Sequence, residues 1–158
     1  VLTLRKTDED YHIYTAPVKE ISNNYIKCRK FEDISLVVGE DGFGLDDILL
    51  SDMSYEFEID EKAILGIMIK GEKLVYDANM SIVSFMSKTA KLNKFTGKAK
   101  IRLLVDITSV EVFINEGFVY MPMHIKEEKI SDDITIRAIS GKVSIESALI
   151  HNIRSIWK

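Results

Sequence analysis

The segment 105–117, VDITSVEVFINEG, carries the strongest structural pattern in the chain. Aliphatic side chains at Val110, Val112 and Ile114 alternate with other residue types, so they share one face of an extended strand. The sequence NEG then turns the chain, and aliphatic residues recur at alternate positions of the next run, FVYMPMHI (118–125). Two runs joined by a turn, each with one aliphatic face, predict an antiparallel hairpin with one buried side.

The same period-two alternation extends through most of the chain. Short apolar runs are separated by the turn signals DEK, GE, NEG, SDD and SG. Many short strands with short turns predict an all-β fold, an antiparallel two-sheet β-sandwich of the concanavalin-like jelly-roll type. The predicted strands are VLTLRK, YHIYTAPV, ILLSDMSYEFEID, AILGIMIK, KLVYDA, SIVSFM, KIRLLVDI, SVEVFIN, FVYMPMHI, DITIRAI and VSIESALIHNI.

Other segments are less periodic. Residues 19–34 are expected to hold a short helical turn or a meandering loop, and GEDGFG (39–44) a plain loop. Asp8 and Asp10 supply turn chemistry between the first two strands. The basic run is interpreted as a solvated loop leading into a strand. It consists of Lys88, Lys91, Lys94, Lys98, Lys100 and Arg102.

Alternation also divides the side chains between a core face and an outer face. The predicted core consists of Val105, Val110, Val112, Ile114, Val119, Met121 and Ile136. Three aromatic residues, Phe113, Phe118 and Tyr120, point the opposite way. We interpret them, with Glu111, as a surface that contacts something outside this domain. The alternative is that the aromatic rings cover one another beneath a loop of the same domain.

Composition limits the classes of function. The chain has 158 residues, of which 46% are hydrophobic and 29% charged, as expected of one globular module over residues 1–158. A net charge of -4 argues against nucleic-acid binding, which needs a concentrated positive surface. No apolar run is long enough for a membrane-spanning helix. No targeting signal is visible, and the chain opens within a strand, as if cut from something longer.

Few residues suggest a metal or cofactor site, and we predict none. The single cysteine, Cys28, has no partner for a disulfide and is expected to be a partly buried, inert thiol. The acidic loop EDGFGLDD (40–47) has oxygen ligands for calcium, but a solvated loop is the simpler interpretation. Trp157 either stacks on a sugar or docks the last strand. The histidines His12, His124 and His151 are far apart in sequence.

Glycoside hydrolysis requires two carboxylates at a defined separation. The chain has 25 acidic residues, so carboxylates are available. Glu56, Glu58 and Asp60 lie at alternate positions of one predicted strand and therefore share one outward face. Such a face is more simply explained by solvation than by catalysis.

The segment 101–117, IRLLVDITSVEVFINEG, resembles the signature of a known module. This is the C-terminal β-sandwich of family 32 glycoside hydrolases, the levanases, inulinases, invertases and sucrose-6-phosphate hydrolases. There, a strand ending in Val-Asp leads into Ser-Val-Glu-Val-Phe and an Asn-x-Gly turn. APVKEI (16–21), VYD (75–77) and IRSIW (153–157) resemble further segments, so the resemblance spans nearly the whole chain. Asp106 and Glu111 are then expected to be structural, fixing a turn and facing a neighbour or solvent.

The sequence also departs from the family. Ile107 stands where a basic residue is common, FMSKTA (85–90) replaces an Asp-Arg-Ser run, and Thr15 replaces a frequent Gln. The family's catalytic residues lie in a separate N-terminal five-bladed β-propeller, within the motifs Trp-x-Asn-Asp-Pro-Asn-Gly, Arg-Asp-Pro and Glu-Cys. Here both prolines follow Ala or Met, and the only cysteine follows Lys. The resemblance therefore implies no catalytic residue in this chain.

The resemblance implies a C-terminal fragment of a larger hydrolase of fructans or sucrose, without its propeller. The expected partner is that propeller, in the same polypeptide, which the module packs on and stabilises. One alternative is a carbohydrate-binding module that binds fructan through a concave, aromatic-lined sheet face. A second alternative is a β-sandwich interaction domain with no role in sugar chemistry.

Overall fold

The computed structural model describes residues 1–7, 10–93, 95–126 and 131–155. Over these ranges the chain forms one short 3-10 helix and fourteen strands, and no helix has the length and apolarity needed to cross a bilayer. The helix is Lys19–Asn24, and the strands are β1 (Leu2–Lys6), β2 (Tyr11–Thr15), β3 (Tyr25–Leu36), β4 (Phe43–Leu45), β5 (Ser51–Ile59), β6 (Ile64–Ile69), β7 (Glu72–Asp77), β8 (Ile82–Phe85), β9 (Lys88–Lys91), β10 (Lys98–Val105), β11 (Ser109–Ile114), β12 (Val119–His124), β13 (Ile134–Ser140) and β14 (Val143–Ile153).

Two six-stranded antiparallel sheets form a sandwich, which confirms the predicted fold class. The first sheet has the order β12-β11-β10-β5-β14-β3, and the second has the order β4-β13-β6-β7-β8-β9. Strands β1 and β2 form a separate two-stranded hairpin. Strands β6 to β9 follow one another as a meander, whereas β5, β14 and β3 come from distant parts of the chain.

The core lies between the sheets and follows from alternation along each strand. In β10 every second residue from Ala99 to Val105 is buried, whereas the residues between them are half-buried or exposed. Val112 pairs with Leu103 on one side and Met121 on the other, so aliphatic residues line up across three strands. All seven predicted core residues are at most 7% exposed, which confirms the predicted core: Val105, Val110, Val112, Ile114, Val119, Met121 and Ile136.

Three strands contradict the expectations from sequence. The segment 19–34 does begin with a helical turn, but from Tyr25 it continues as the twelve-residue strand β3. The expected loop at 39–44 contains the start of β4, and the expected basic loop contains β9. All three are edge strands. Strands β3 and β9 carry charged side chains that discourage further pairing, and β4 has only three residues, so none of them shows the alternation by which strands are recognised.

The basic run forms strands over most of its length, rather than a loop leading into one strand. Its first part is β9, and its last three cations lie on the outer face of β10. Lys98 donates to both carboxylate oxygens of Glu146 at 2.8 and 2.9 Å, and Lys100 donates to Glu116 at 3.2 Å. Lys94 lies outside the described residues. Carboxylates therefore pair with the cations of the run that lie on β10.

Candidate functional site

The N-terminal hairpin, formed by β1 and β2, is anchored on the turn between β11 and β12. The backbone N–H of Thr15 donates to the carbonyl oxygen of Gly117 at 3.0 Å. His12 stacks on Phe118 with 3.9 Å between ring centroids, and its Nε2 donates to the Phe118 carbonyl oxygen at 2.8 Å. The hairpin therefore packs on the Asn-x-Gly turn, which is part of the motif that carries the resemblance. We call this turn the seat of the hairpin.

The seat depends on backbone geometry that favours glycine. Glu116 has a φ of 61° and Gly117 a φ of 87°, both in the left-handed region. A Cβ atom on Gly117 would lie 1.7 Å from the carbonyl oxygen of Thr15. An ion pair between Arg5 of the hairpin and Glu116 of the turn, at 3.0 Å, adds a further contact between the two segments.

The four residues predicted as a contact surface fall into two groups. Phe113 and Tyr120 are cross-strand partners whose rings stack at 4.9 Å, and the Tyr120 hydroxyl donates to Glu111 at 2.6 Å. Phe118 instead stacks under His12 of the hairpin. Phe113 is 4% exposed and Tyr120 is 38% exposed, so Tyr120 and the half-buried Glu111 are the accessible part. Contact of this surface with another domain stays a prediction.

Sequence reasoning missed a buried ion pair on the outer face of the first sheet. Asp52 is 1% exposed and accepts hydrogen bonds from Arg102 Nε at 2.8 Å, from Arg102 Nη2 at 2.5 Å and from the Tyr25 hydroxyl. Tyr25 also stacks on His151 at 4.0 Å. The ion pair joins β5 to β10, and the hydrogen bond from Tyr25 adds β3. Its signal in the sequence is a single acid, Asp52, within the mostly apolar run ILLSDMSY (48–55).

We expect the Asp52→Asn variant to lose about 2 kcal/mol of unfolding free energy, because it leaves the guanidinium of Arg102 partly buried without its charge partner. Glu58→Gln, on the exposed part of the same strand face, is the matched control and should change stability by no more than about 0.5 kcal/mol. Urea unfolding of both variants makes the comparison. Equal stabilities would mean that the buried pair contributes nothing net.

Three tyrosines with raised pKa values give stability a dependence on alkaline pH. Partial burial, together with the hydrogen bond to the Asp52 carboxylate, raises the pKa of Tyr25 to about 12. Partial burial and the carboxylate of Glu111 likewise raise the pKa of Tyr120 to about 12. Burial also raises the pKa of Tyr55, which is fully enclosed. A raised folded-state pKa means that the stabilisation is complete below pH 10 and declines as the pH rises through the folded-state value.

We therefore expect the free energy of unfolding to fall between pH 10 and pH 12, because the unfolded chain ionises tyrosines that the folded chain keeps protonated. A fully buried tyrosine contributes up to about 1.4 kcal/mol per pH unit. Urea titrations at several pH values should show this slope, and the Tyr55→Phe variant should have a shallower one. An identical slope in that variant would contradict the assignment to Tyr55.

A buried lysine supports the Val-Asp turn of the motif. Lys70, in the turn between β6 and β7, is fully buried, and its Nζ donates to the carbonyl oxygen of Asp106 at 2.6 Å and to that of Ile107. The Asp106 side chain accepts the N–H of Ile107 at 2.7 Å, in line with its expected turn-fixing role. Burial lowers the pKa of Lys70, and the charge of Asp106 opposes this effect. Lys70 thus ties the second sheet to the first.

Within the described ranges, no group of three His, Cys, Asp or Glu side chains is placed to hold a metal ion. In the acidic loop, the backbone carbonyls of Asp46 and Asp47 accept hydrogen bonds from Arg29 at 3.2 and 3.3 Å. Cys28 is exposed rather than partly buried, because it lies on edge strand β3. Trp157 lies outside the described residues, as does Asp8 of the first turn.

A cleft of about 360 Å³ opens between the end of the hairpin and the outer face of the first sheet. Phe113 and Pro17 contribute apolar lining. Lys100 lies between two carboxylates, 3.7 Å from Glu56 and 3.2 Å from Glu116. The cleft thus combines an aromatic ring, that of Phe113, with a hydrogen-bond donor, Lys100, and two carboxylate acceptors, Glu56 and Glu116.

Comparisons with known proteins agree with the observed fold. No family model matches the chain. A levanase from Bacillus subtilis (strain 168) is 36% identical over 70 residues, which are 44% of this chain and 10% of the levanase. A fructofuranosidase from Schwanniomyces occidentalis superposes with a TM-score of 0.76 at 16% identity, over 98% of this chain and 39% of that protein. An exo-inulinase from Aspergillus awamori gives 0.74 at 17% identity, over 99% and 35%.

The chain thus spans about a tenth of the levanase and less than two fifths of either enzyme of known structure. Nearly all of this chain, and thus both sheets of the sandwich, superposes on part of each enzyme. These matches confirm the resemblance: the chain is similar in sequence to a segment of a levanase and has the fold of the C-terminal β-sandwich module of family 32 glycoside hydrolases.

Proposed function

We propose that this chain is a non-catalytic module of an enzyme that hydrolyses β-fructosides, and that it packs on and stabilises the catalytic β-propeller of the same polypeptide. The observation that supports this most directly is the coverage, because 98% of the chain aligns with only 39% of a fructofuranosidase. The larger remainder of such an enzyme is where its catalytic residues would lie.

The chemistry of this chain supports a non-catalytic role. None of the three catalytic motifs of the family occurs in its 158 residues. Acid–base hydrolysis needs one carboxylic acid with a raised pKa beside a free carboxylate. Two carboxylates at the outer face of the first sheet are instead neutralised by cations, in the pairs of Asp52 with Arg102 and of Glu116 with Lys100.

In this proposal the accessible pair of Tyr120 and Glu111 lies at the border of the catalytic domain. Phe113 supports the ring of Tyr120 from beneath, and Phe118 holds the hairpin. An aromatic ring with one polar end suits an interface that is dry at its centre and wet at its rim.

We expect the isolated chain to fold and to release no fructose from sucrose, inulin or levan. The reason is that the sequence contains none of the three motifs that carry the family's catalytic residues. Fructose release is measured against a control without protein and against the full-length enzyme. Hydrolysis that co-purifies with the isolated chain through several columns would overturn the non-catalytic assignment.

The cleft at the hairpin's end favours a second candidate function, the binding of fructan itself. Sugar hydroxyls donate and accept hydrogen bonds, and Lys100 with its two flanking carboxylates offers both kinds of partner next to the ring of Phe113. Calorimetry with inulin and levan oligosaccharides separates the two candidates. Binding that is lost in Lys100→Met but kept in Lys30→Met, an exposed ion-paired lysine on β3, would support this second function. Absence of binding by the unmodified chain would exclude it.

A further inference from the structure

In the hairpin of β1 and β2, polar side chains face the sandwich and apolar side chains face away from it, the opposite of the usual arrangement in a folded domain. The side that faces the sandwich carries polar groups, such as Arg5 and His12, which contact Glu116 and Phe118. The opposite side faces away and is mostly apolar. Its exposed apolar residues are Leu2 at 72%, Leu4 at 64%, Tyr11 at 63% and Ile13 at 57%.

Strand register places these four side chains on one continuous stripe, which we call the hairpin stripe. Leu4 pairs directly with Ile13, and the alternate positions Leu2 and Tyr11 fall on the same face. Among the described residues no part of this chain covers the stripe, since all five residues of β1 are exposed. A two-stranded hairpin is at best marginally stable alone, and an uncovered apolar face adds a further cost.

The contacts that anchor the hairpin on the sandwich do not explain why its outward-facing residues are apolar. Anchoring needs Thr15 and His12 for the hydrogen bonds to the turn and Arg5 for the ion pair. Polar residues at the outward positions would leave every one of these contacts intact. The apolar residues there therefore indicate a second surface that packs against the stripe.

We infer that the hairpin stripe is the surface by which this chain binds the catalytic domain of its own polypeptide. This inference rests on the proposed function and identifies the contact face. In a longer enzyme, any polypeptide preceding Val1 continues directly from β1, so a domain joined there lies beside the stripe at high effective concentration. A tethered partner needs only a small apolar contact, which matches a stripe of four side chains.

Cysteine labelling tests this inference on the full-length enzyme and on the isolated chain. In a Cys28→Ser background, the Leu4→Cys variant places a thiol on the stripe, and the Val38→Cys variant places one at an exposed valine elsewhere. We expect a maleimide to react with the Leu4→Cys thiol about tenfold more slowly in the full-length enzyme than in the isolated chain. The Val38→Cys thiol should react at equal rates in both.

Equal rates for the Leu4→Cys thiol in both proteins would overturn the inference. Slow labelling in the isolated chain that becomes faster on dilution would also overturn it, because a second copy of the chain would then be the occupant. Failure of the proposed function is a separate result, in which removal of this chain leaves the thermal stability of the catalytic domain unchanged. Slow labelling only in the full-length enzyme supports the stripe as the contact.

Discussion

The Val112→Asp variant is expected not to fold at neutral pH. Val112 has no exposed surface and lies on β11, the second strand of the first sheet, between Leu103 and Met121. A carboxylate at this position has no partner within the sandwich, and burying an unpaired charge costs several kcal/mol even after its pKa rises. That cost is comparable to the whole free energy of unfolding of a typical domain, about 5–15 kcal/mol.

Circular dichroism and amide NMR spectra of the purified variant measure this outcome. The matched control is Val38→Asp, the same substitution at a valine that is 51% exposed, which should change stability by no more than about 0.5 kcal/mol. Val112→Ala should remain folded with a loss of about 2 kcal/mol, because it removes volume without adding charge. A soluble Val112→Asp protein with unchanged melting would show that the register of β11 is wrong.

The Gly117→Ala variant is expected to release the N-terminal hairpin from the sandwich. Its new Cβ would lie 1.7 Å from the carbonyl oxygen of Thr15 and 3.0 Å from its backbone nitrogen, and backbone atoms have little freedom to move aside. The 3.0 Å hydrogen bond from Thr15 to Gly117 would break, and the stacking of His12 on Phe118 would loosen. We expect a loss of about 3 kcal/mol, of which backbone strain at positive φ supplies about 1 kcal/mol.

Gly39→Ala is the control that isolates the clash from the strain. Gly39 has a φ of 88°, nearly that of Gly117, but a Cβ there would meet no atom within 4 Å. It should therefore lose only about 1 kcal/mol and leave the hairpin in place. Urea unfolding gives the two free energies, and hydrogen exchange of residues 1–15 reports on the hairpin. Equal losses in the two variants, with a protected hairpin in both, would contradict the proposed seat.

The central strands and the edge strand β12 were predictable from sequence, whereas the edge strands β3, β4 and β9 were not. Strand β11 alternates aliphatic residues with other types because one face is buried against the opposite sheet, and this produces the period of two. Strand β9 has lysine at both ends and β3 carries many charged residues, because each closes an edge that must not pair further. Such strands are hydrogen-bonded to one neighbouring strand only, and their charged outward residues leave no alternation of apolar side chains.

The candidate site was predictable only in part, for a similar reason. Alternation places Phe113 and Tyr120 on one outer face, and the structure stacks them there. The seat of the hairpin and the pair of Asp52 with Arg102 depend on contacts between residues that are 50 or more positions apart. Local patterns do not determine which distant strands become neighbours, so neither contact could be read from the sequence.

Thermal inactivation of the full-length hydrolase, compared with the same enzyme lacking residues 1–158, tests the central claim most directly. Under the proposed function this chain supplies no catalytic group, so the shortened enzyme should cleave β-fructosides at low temperature with a similar kcat. It should lose activity at a temperature several degrees lower, because its apolar contact surface is uncovered. Equal inactivation temperatures for the two enzymes would contradict the stabilising role, and activity that remained with residues 1–158 alone would contradict the whole account.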